Sequence, residues 1–194
     1  METSASLLSR LRTGADQRAW DRLDKLYRPL ICRWVLRDPD LRDDADDLAQ
    51  EVMVVLVREL PGFQRQRVGS FRCWLREVTY HQVQAFRRKR RRRPRAVGAA
   101  PADDPLAQFA DPNSDLSRLW DQEHDRHVLR RLLELLESDS PFEPATLRAF
   151  RMVVFEDTRP ADAAAALGLS PNAVLLAKSR VLKWLRQESE GLLG

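Results

Sequence analysis

Apolar residues recur with the period of an α-helix through almost the whole chain. From Asp16 to Val35 they fall at i, i+3, i+4 and i+7 positions over five turns. Asp16 is the expected N-cap of this helix, and Pro29 is expected to kink or interrupt it. The same pattern predicts further helices at about 43–60, from 70 into the arginine run, and at 119–136, 144–156, 160–167 and 170–188. Because no segment alternates with the period of a β-strand, we predict an all-α fold.

The composition changes at residues 94–117, which divide the chain. This stretch holds four prolines, several aspartates and little periodicity, and it is too long for a tight turn between helices. We therefore predict two helical domains, residues 1–93 and 118–194, joined by a flexible linker at 94–117. The helices of the first domain are long enough for a bundle of three to four helices with its own core.

Positive charge is concentrated in the first predicted domain, residues 1–93, and indicates a nucleic-acid partner. Residues 1–93 hold 21 basic and 13 acidic side chains, a net +8, whereas the whole chain carries +4. Seven consecutive basic residues run from Arg87 to Arg93, and aromatic residues precede them in the same predicted helix. Aromatic side chains beside basic ones suit unstacked bases, although Trp74 could instead be a core residue and the arginine run a solubilising tail. The candidate DNA contacts are Arg65, Arg67, Ser70, Trp74, Tyr80, His81, Gln84, Arg87 and Arg88.

The helix predicted at about 43–60 carries an acidic face opposite its buried stripe. Its candidate binding residues are Asp43, Asp46, Asp47, Gln50 and Glu51. A row of carboxylates suits a basic protein partner, and the alternative is a solvated face whose acidic residues favour the helix N-terminus. A calcium loop is a poorer interpretation, because such loops need glycine and alternating ligands rather than a helix.

The C-terminal segment has the turn and capping residues that are typical of two helices joined by a tight turn. Gly168 suits a left-handed turn, Ser170 an N-cap, and Pro171 the first position of the second helix. This pattern predicts a helix-turn-helix motif that contacts DNA, and the alternative is an alanine-rich helical hairpin without that function. The candidate contacts on its second helix are Ser170, Asn172, Ala173, Leu176, Lys178, Ser179 and Arg180.

Several classes of function find no support in the sequence. We identify no glycine-rich phosphate loop, no nucleophile motif and no set of metal ligands, so we expect neither catalytic residues, nor a metal, nor a cofactor. His124 and His127 are one helical turn apart but lack a third ligand at suitable spacing, and we expect them on the surface or at an interface. Cys32 and Cys73 are expected to be reduced core thiols. No signal peptide or membrane-spanning run is found, so we expect a cytoplasmic protein without membrane insertion.

The order of these motifs resembles that of sigma factors of bacterial RNA polymerase. The strings DDADDLAQEVMVVL, LPGFQ and GSFRCWLREV, the basic helix end, and LGLS with AVLLAKSRVLKWL downstream carry the resemblance. This order of motifs is similar to that of the extracytoplasmic-function (ECF) group of the sigma-70 family, which keeps regions 2 and 4. The resemblance implies region 2 at 1–93, a linker at 94–117, and region 4 at 118–194.

The resemblance also implies partners and roles. The acidic face would dock on the β′ coiled coil of core RNA polymerase, residues 70–88 would melt and read the minus-ten element, and the helix from Ser170 would read the minus-thirty-five element. The β flap would hold region 4, and an anti-sigma factor is a further candidate partner. The competing interpretations are a helix-turn-helix regulator that binds duplex operators, and a sigma-like decoy that binds polymerase without melting promoter DNA.

Overall fold

A computed structural model describes residues 6–13, 16–64, 70–91, 104, 106–138 and 141–193. The described residues form α-helices, short 3₁₀ turns and connecting segments, with no strand among them, which confirms the predicted all-α fold. The α-helices are α1 (Leu7–Arg12), α2 (Gln17–Val35), α3 (Ala45–Glu59), α4 (Ser70–Arg91), α5 (Asp115–Ser138), α6 (Pro144–Val154), α7 (Pro160–Leu167) and α8 (Pro171–Ser189).

Helix α2 is the central element of the N-terminal core. The Asp16 side chain caps it by accepting a hydrogen bond from the Ala19 N–H at 3.1 Å, as its sequence predicts. Its apolar face is fully buried, and α1, α3, α4 and α5 contribute to the same core. This burial of a periodic apolar stripe is the main stabilising contribution, because helices of this length are marginal alone.

Pro29 does not interrupt α2, and the prediction of a break is wrong. The helix is continuous through Pro29, although proline has no N–H to donate to the carbonyl of Lys25 four residues earlier. Arg131 of α5 supplies the missing donors, with its Nε and Nη2 atoms 3.2 and 3.1 Å from that carbonyl. One turn away, His127 Nε2 donates to the Leu26 carbonyl at 2.6 Å. The proline therefore opens a docking site for α5 on the α2 backbone.

A buried aromatic cluster joins α2 to α5 and to the segment that precedes α5 in the chain. The ring of Trp34 lies 5.1 Å from Trp120 and 5.2 Å from Phe109, which belongs to a 3₁₀ turn at Ala107–Ala110. Leu106, next to this turn, is also buried. Such aromatic pairs contribute about 0.5–1.5 kcal/mol each beyond their burial. The last part of the predicted linker is thus anchored in the core, whereas residues 92–103 lie outside the described ones.

The C-terminal helices form a second, smaller core. Ala149, Ala163 and Val174 bring α6, α7 and α8 together. Gly168 ends α7 with φ 65°, a left-handed conformation that glycine adopts without strain, and Ser170 caps α8 by accepting from the Ala173 N–H at 3.1 Å. Both features match the sequence-based expectation.

Helix α5 and the end of α8 connect the two cores. The first turns of α5 pack with the N-terminal helices, and Leu136 near its end packs with Phe150 and Val181. Near the end of α8, the buried Glu188 carboxylate pairs with Arg10 at 2.9 Å and Arg22 at 3.0 Å. The two-domain interpretation is consistent with two helical groups, and the boundaries at 93 and 118 stay a prediction.

No helix among the described residues combines the length and apolar character needed to cross a bilayer. Cys32 and Cys73 are free and half-buried, so they lie at the edge of the core rather than inside it. His124 and His127 are both buried where α5 meets α2, and the Tyr27 hydroxyl lies 3.3 Å from His124 Nε2.

His127 should make the stability of this protein depend on pH. Burial is the main reason that its pKa falls from 6.5 to about 4; the hydrogen bond to the Leu26 carbonyl opposes the shift, and nearby arginines reinforce it. Because the folded state keeps His127 neutral while the unfolded state takes up a proton, its contribution is full above pH 6.5 and is lost as the pH falls towards 4.

We expect His127 alone to lower the free energy of unfolding by about 2 kcal/mol between pH 7 and pH 5. Urea unfolding of the wild type and of His127→Gln at both pH values gives the free energy of unfolding of each protein. The slope of that free energy against pH is then compared between the two proteins. His81→Gln, which removes an exposed imidazole elsewhere on the chain, is the matched control. An unchanged slope in His127→Gln would contradict the assignment.

Candidate protein and nucleic-acid interfaces

The α3 face, defined by Asp46, Asp47, Gln50 and Glu51 of the helix and by Asp43 in the 3₁₀ turn before it, is exposed to solvent as its sequence predicts. Ala45, Leu48 and Val52 turn the opposite side of the helix into the core. Part of the face borders a groove of about 490 Å³, whose other wall is formed by Phe86, Lys89 and Arg90 at the end of α4. Arg90 lies 3.6 Å from Asp44. Carboxylates and a basic helix end therefore meet at one recess.

Contacts with α2 hold two members of the α3 face in position. Arg28 donates a hydrogen bond to the Gln50 side chain. The Cys32 thiol donates to Asp46 at 3.3 Å. Burial and the neighbouring Asp46 carboxylate raise the pKa of Cys32 to about 11. The thiol therefore stays protonated at neutral pH and acts as a donor to the face rather than as a nucleophile.

Apolar residues extend the α3 face towards the end of the helix. Val54 and Val57 are 55% and 50% exposed. With Trp20 and Met53 they line a groove of about 270 Å³ between α2 and α3. Two valines exposed beside a carboxylate row suit a protein partner better than water. The helical period places Val54 outside the buried stripe, but neither valine is among the contacts predicted from the sequence.

The aromatic residues predicted to contact DNA differ in their exposure on α4. Trp74 is half-buried and packs its ring 4.9 Å from Phe63 and 5.8 Å from Phe71. Tyr80 is half-buried against the core, and His81 beside it is exposed, with ring centroids 5.8 Å apart. His81 is thus the most accessible of the three rings for base stacking. Ser70 begins α4, whereas Arg65 and Arg67 lie outside the described residues.

Two other side chains predicted to contact DNA are already bonded to carboxylates of the protein itself. Arg87 bonds to both Asp38 and Asp104, and Gln84 donates to Asp104 at 2.6 Å. Burial opposes the ionisation of Asp104, but the bonds from Arg87 and Gln84 outweigh it and lower its pKa. Arg88, one position along, is exposed and forms no ion pair within the described part of the chain. Arg87 in this structure joins α4 to the segment before α5, and Arg88 is the accessible cation.

Two further basic residues of α4 are absent from our sequence-based set and form the contact with α5. Arg76 is only 1% exposed, with Nη1 3.6 Å from Asp121. Arg72 lies 3.3 Å from Asp121 and also 3.3 Å from Asp125. The indole N–H of Trp120 donates to the Arg72 carbonyl at 3.1 Å. Helical spacing put these arginines near the buried face, and only the position of α5 supplies their partners.

The first half of α8 presents an exposed surface beside the turn at Gly168. Ser170, Asn172, Leu176, Ser179 and Arg180 are exposed, while Ala173 and Lys178 are half-buried. Val174, Ala177 and Val181 face the small core. Asn172, Leu176, Ser179 and Arg180 therefore share one accessible side of a helix whose N-terminus is capped, whereas Lys178 lies on the other side of the buried stripe. Leu175 and Leu176, 50% and 48% exposed, add an apolar strip to it.

Comparison with known families assigns the segment that carries the α3 face and α4. Residues 23–93 match the family model of Sigma-70 region 2. This segment of the chain, less than half of its length, is therefore similar to Sigma-70 region 2. No curated protein matches the chain. The matched region 2 segment runs from within α2 into the arginine run, so it includes every residue of the α3 face. No group of residues suited to a metal ion occurs in the described ranges.

The contact between Cys32 and Asp46 predicts an unreactive thiol that Asp46 controls. With a pKa near 11, Cys32 should alkylate about 100-fold more slowly at pH 8 than an unperturbed cysteine. In a Cys73→Ser background, Asp46→Asn should accelerate alkylation several-fold, because the thiolate no longer lies beside a negative charge. Mass spectrometry of iodoacetamide labelling gives the rates. Asp47→Asn is the matched control, and an equal acceleration in both variants would refute the specific Cys32–Asp46 contact.

Proposed function

We propose that this protein is a transcription initiation factor of the ECF group, which binds core RNA polymerase, recognises promoter DNA and helps to melt the minus-ten region. The observation that carries the proposal is that one matched segment, residues 23–93, holds both the α3 face and the exposed residues of α4. An operator-binding regulator needs no exposed carboxylate row beside its DNA-binding helix. The proposed site of action is the cytoplasm, and the proposed chemistry is that of the polymerase.

The α3 face is the proposed contact with the β′ coiled coil. Its exposed carboxylates would attract basic residues of the partner, and Val54 and Val57 would be removed from water in the complex. Electrostatic attraction sets the orientation and the association rate, and apolar burial slows dissociation. This combination suits a subunit that must associate with a large enzyme and later leave it.

The C-terminal helices are the proposed region 4. In this proposal α7 and α8 form a helix-turn-helix, and the exposed side of α8 reads the minus-thirty-five element through Asn172, Ser179 and Arg180. Lys178 and the capped helix N-terminus would contact phosphates. The β flap would seat on the groove of about 550 Å³ between α5 and α6, whose apolar lining includes the exposed Leu129 and Phe155.

Charge reversal on the α3 face tests the polymerase contact. Asp47→Lys with Glu51→Lys should weaken binding to core polymerase, because each interfacial charge pair broken this way can cost about 2–5 kcal/mol. Affinity of the labelled variants for core enzyme gives the measurement, and circular dichroism checks that helix content is kept. Asp115→Lys with Glu143→Lys makes the same change of charge at exposed positions elsewhere and should bind normally. Unchanged affinity in the first pair would remove this face from the proposal.

Open-complex formation distinguishes a sigma factor from a duplex-binding regulator or a decoy. His81→Ala should reduce the permanganate reactivity of promoter thymines about fivefold or more, the lower limit for the loss of one aromatic stack on an unpaired base. Tyr80→Ala should do the same, with an added loss of stability because its ring packs on the core. Glu77→Ala, an exposed change on the same helix, should leave reactivity unchanged.

Promoter melting by the wild-type holoenzyme decides whether the initiation-factor proposal stands. If it melts none of the promoters selected by overproducing the protein in vivo, the initiation-factor proposal fails and the operator-binding or decoy function takes its place. If melting occurs and His81→Ala equals the wild type, the initiation factor stands and base capture does not involve His81.

A further inference from the structure

The seam between α2 and α5 contains a basic recess that lies outside the proposed promoter and β′ contacts, although Arg126 and Arg130 at its edge also border the groove proposed for the β flap. It is a cavity of about 250 Å³ lined by Arg33 and Arg37 of α2 and by Glu123, Arg126, His127 and Arg130 of α5. Four guanidinium groups and one carboxylate line it, so its formal charge is +3 with His127 neutral. Like charges gathered in one recess repel each other unless a counter-ion joins them.

Two of these arginines already have partners. Arg37 donates to Glu123 at 2.8 Å, and its guanidinium lies 4.0 Å from the centre of the Trp34 ring. Arg130 lies 3.8 Å from the exposed Glu134, and its Nη2 is 3.4 Å from His127 Nδ1. Because His127 Nε2 donates to a backbone carbonyl, its neutral Nδ1 carries a lone pair and accepts from Arg130. These contacts hold Arg37 and Arg130 at the wall of the recess.

Arg33 and Arg126 have no such partner. Within the described ranges, neither forms a hydrogen bond or a salt bridge with a carboxylate, although both are exposed and line the same cavity from facing helices. On another side of α5, where it contacts α4, the basic side chains are matched by acidic ones, as Arg72 and Arg76 are by Asp121. The recess is therefore the part of the seam where positive charge exceeds negative charge.

The geometry points to a binding site for a small phosphorylated ligand, with a diphosphate group as the recognised chemistry. Guanidinium groups bind phosphate oxygens in a bidentate manner, and pairs approaching from two helices would grip one anion on both sides. A recess of about 250 Å³ suits a compact anion better than a nucleic-acid strand, which would follow an exposed stripe such as Arg88 and Lys89. A ligand held by both helices would also stabilise the docking of α5 on α2.

Pyrophosphate is the probe for this site. The full-length protein, in a phosphate-free buffer of low ionic strength, should bind it saturably in a calorimetric titration, and its midpoint of thermal unfolding should rise with ligand. Arg33→Gln with Arg126→Gln should weaken binding at least about tenfold. Arg18→Gln with Arg118→Gln removes the same charge from exposed positions on the same two helices and should bind like the wild type. Arg33→Lys with Arg126→Lys keeps the charge without the planar fork and should bind at an intermediate strength.

Folding and nonspecific attraction are separated by two further readouts. Without ligand, Arg33→Gln with Arg126→Gln should be at least as stable as the wild type, because it relieves repulsion and breaks no ion pair among the described residues. Inorganic phosphate should bind more weakly than pyrophosphate through the same residues. The proposal is overturned if pyrophosphate does not saturate, if both glutamine pairs weaken it equally, or if single-stranded DNA alone binds through Arg33 and Arg126.

Discussion

The docking of α5 along α2 is the contact on which the rest of the structure depends. Pro29 leaves the Lys25 carbonyl without its helical donor, and Arg131 replaces that donor from α5. Trp34 anchors the other end of the same seam against Trp120. A proline that would weaken an isolated helix here leaves a carbonyl free to accept hydrogen bonds from the neighbouring helix. Helix α5 then connects the two cores, because it contributes buried residues to both of them.

Internal pairing decides how much of the positive charge remains available. Asp104 engages Arg87, Asp121 engages Arg72 and Arg76, and Glu188 engages Arg10 and Arg22. These partly buried pairs are screened less by salt than exposed ones, so they fix helices relative to each other. The net charge of the N-terminal half therefore overstates its capacity for phosphate. Cations without an internal partner are the ones that a nucleic acid or an anionic ligand can use.

The exposed surfaces follow from what each helix must bury. The stripe from Ala45 to Leu56 must face α2, so the carboxylates of α3 and the two valines are left outside. The same constraint leaves the first half of α8 accessible, while Glu188 fixes its last turn to α1 and α2. The surfaces proposed to bind polymerase and DNA thus lie on the sides of helices that are not needed for packing, and a substitution there can alter binding without disrupting the core.

The sequence by itself determined the helices, the buried stripes, the capping by Asp16 and Ser170, the turn at Gly168 and the exposed acidic face, because these depend on neighbours within a few residues. It also carried the motifs that resemble sigma region 2, which the family match supports. The tertiary structure decided that α2 passes unbroken through Pro29, that Leu106 and Phe109 are anchored in the core, and that Arg87 is held by Asp38 and Asp104. The contacts behind them include pairs far apart along the chain, such as Arg87 with Asp38 and Arg131 with Lys25, which are 49 and 106 residues apart. Helical periodicity contains no information about such pairs, because it shows which side of a helix is buried but not which helix covers it.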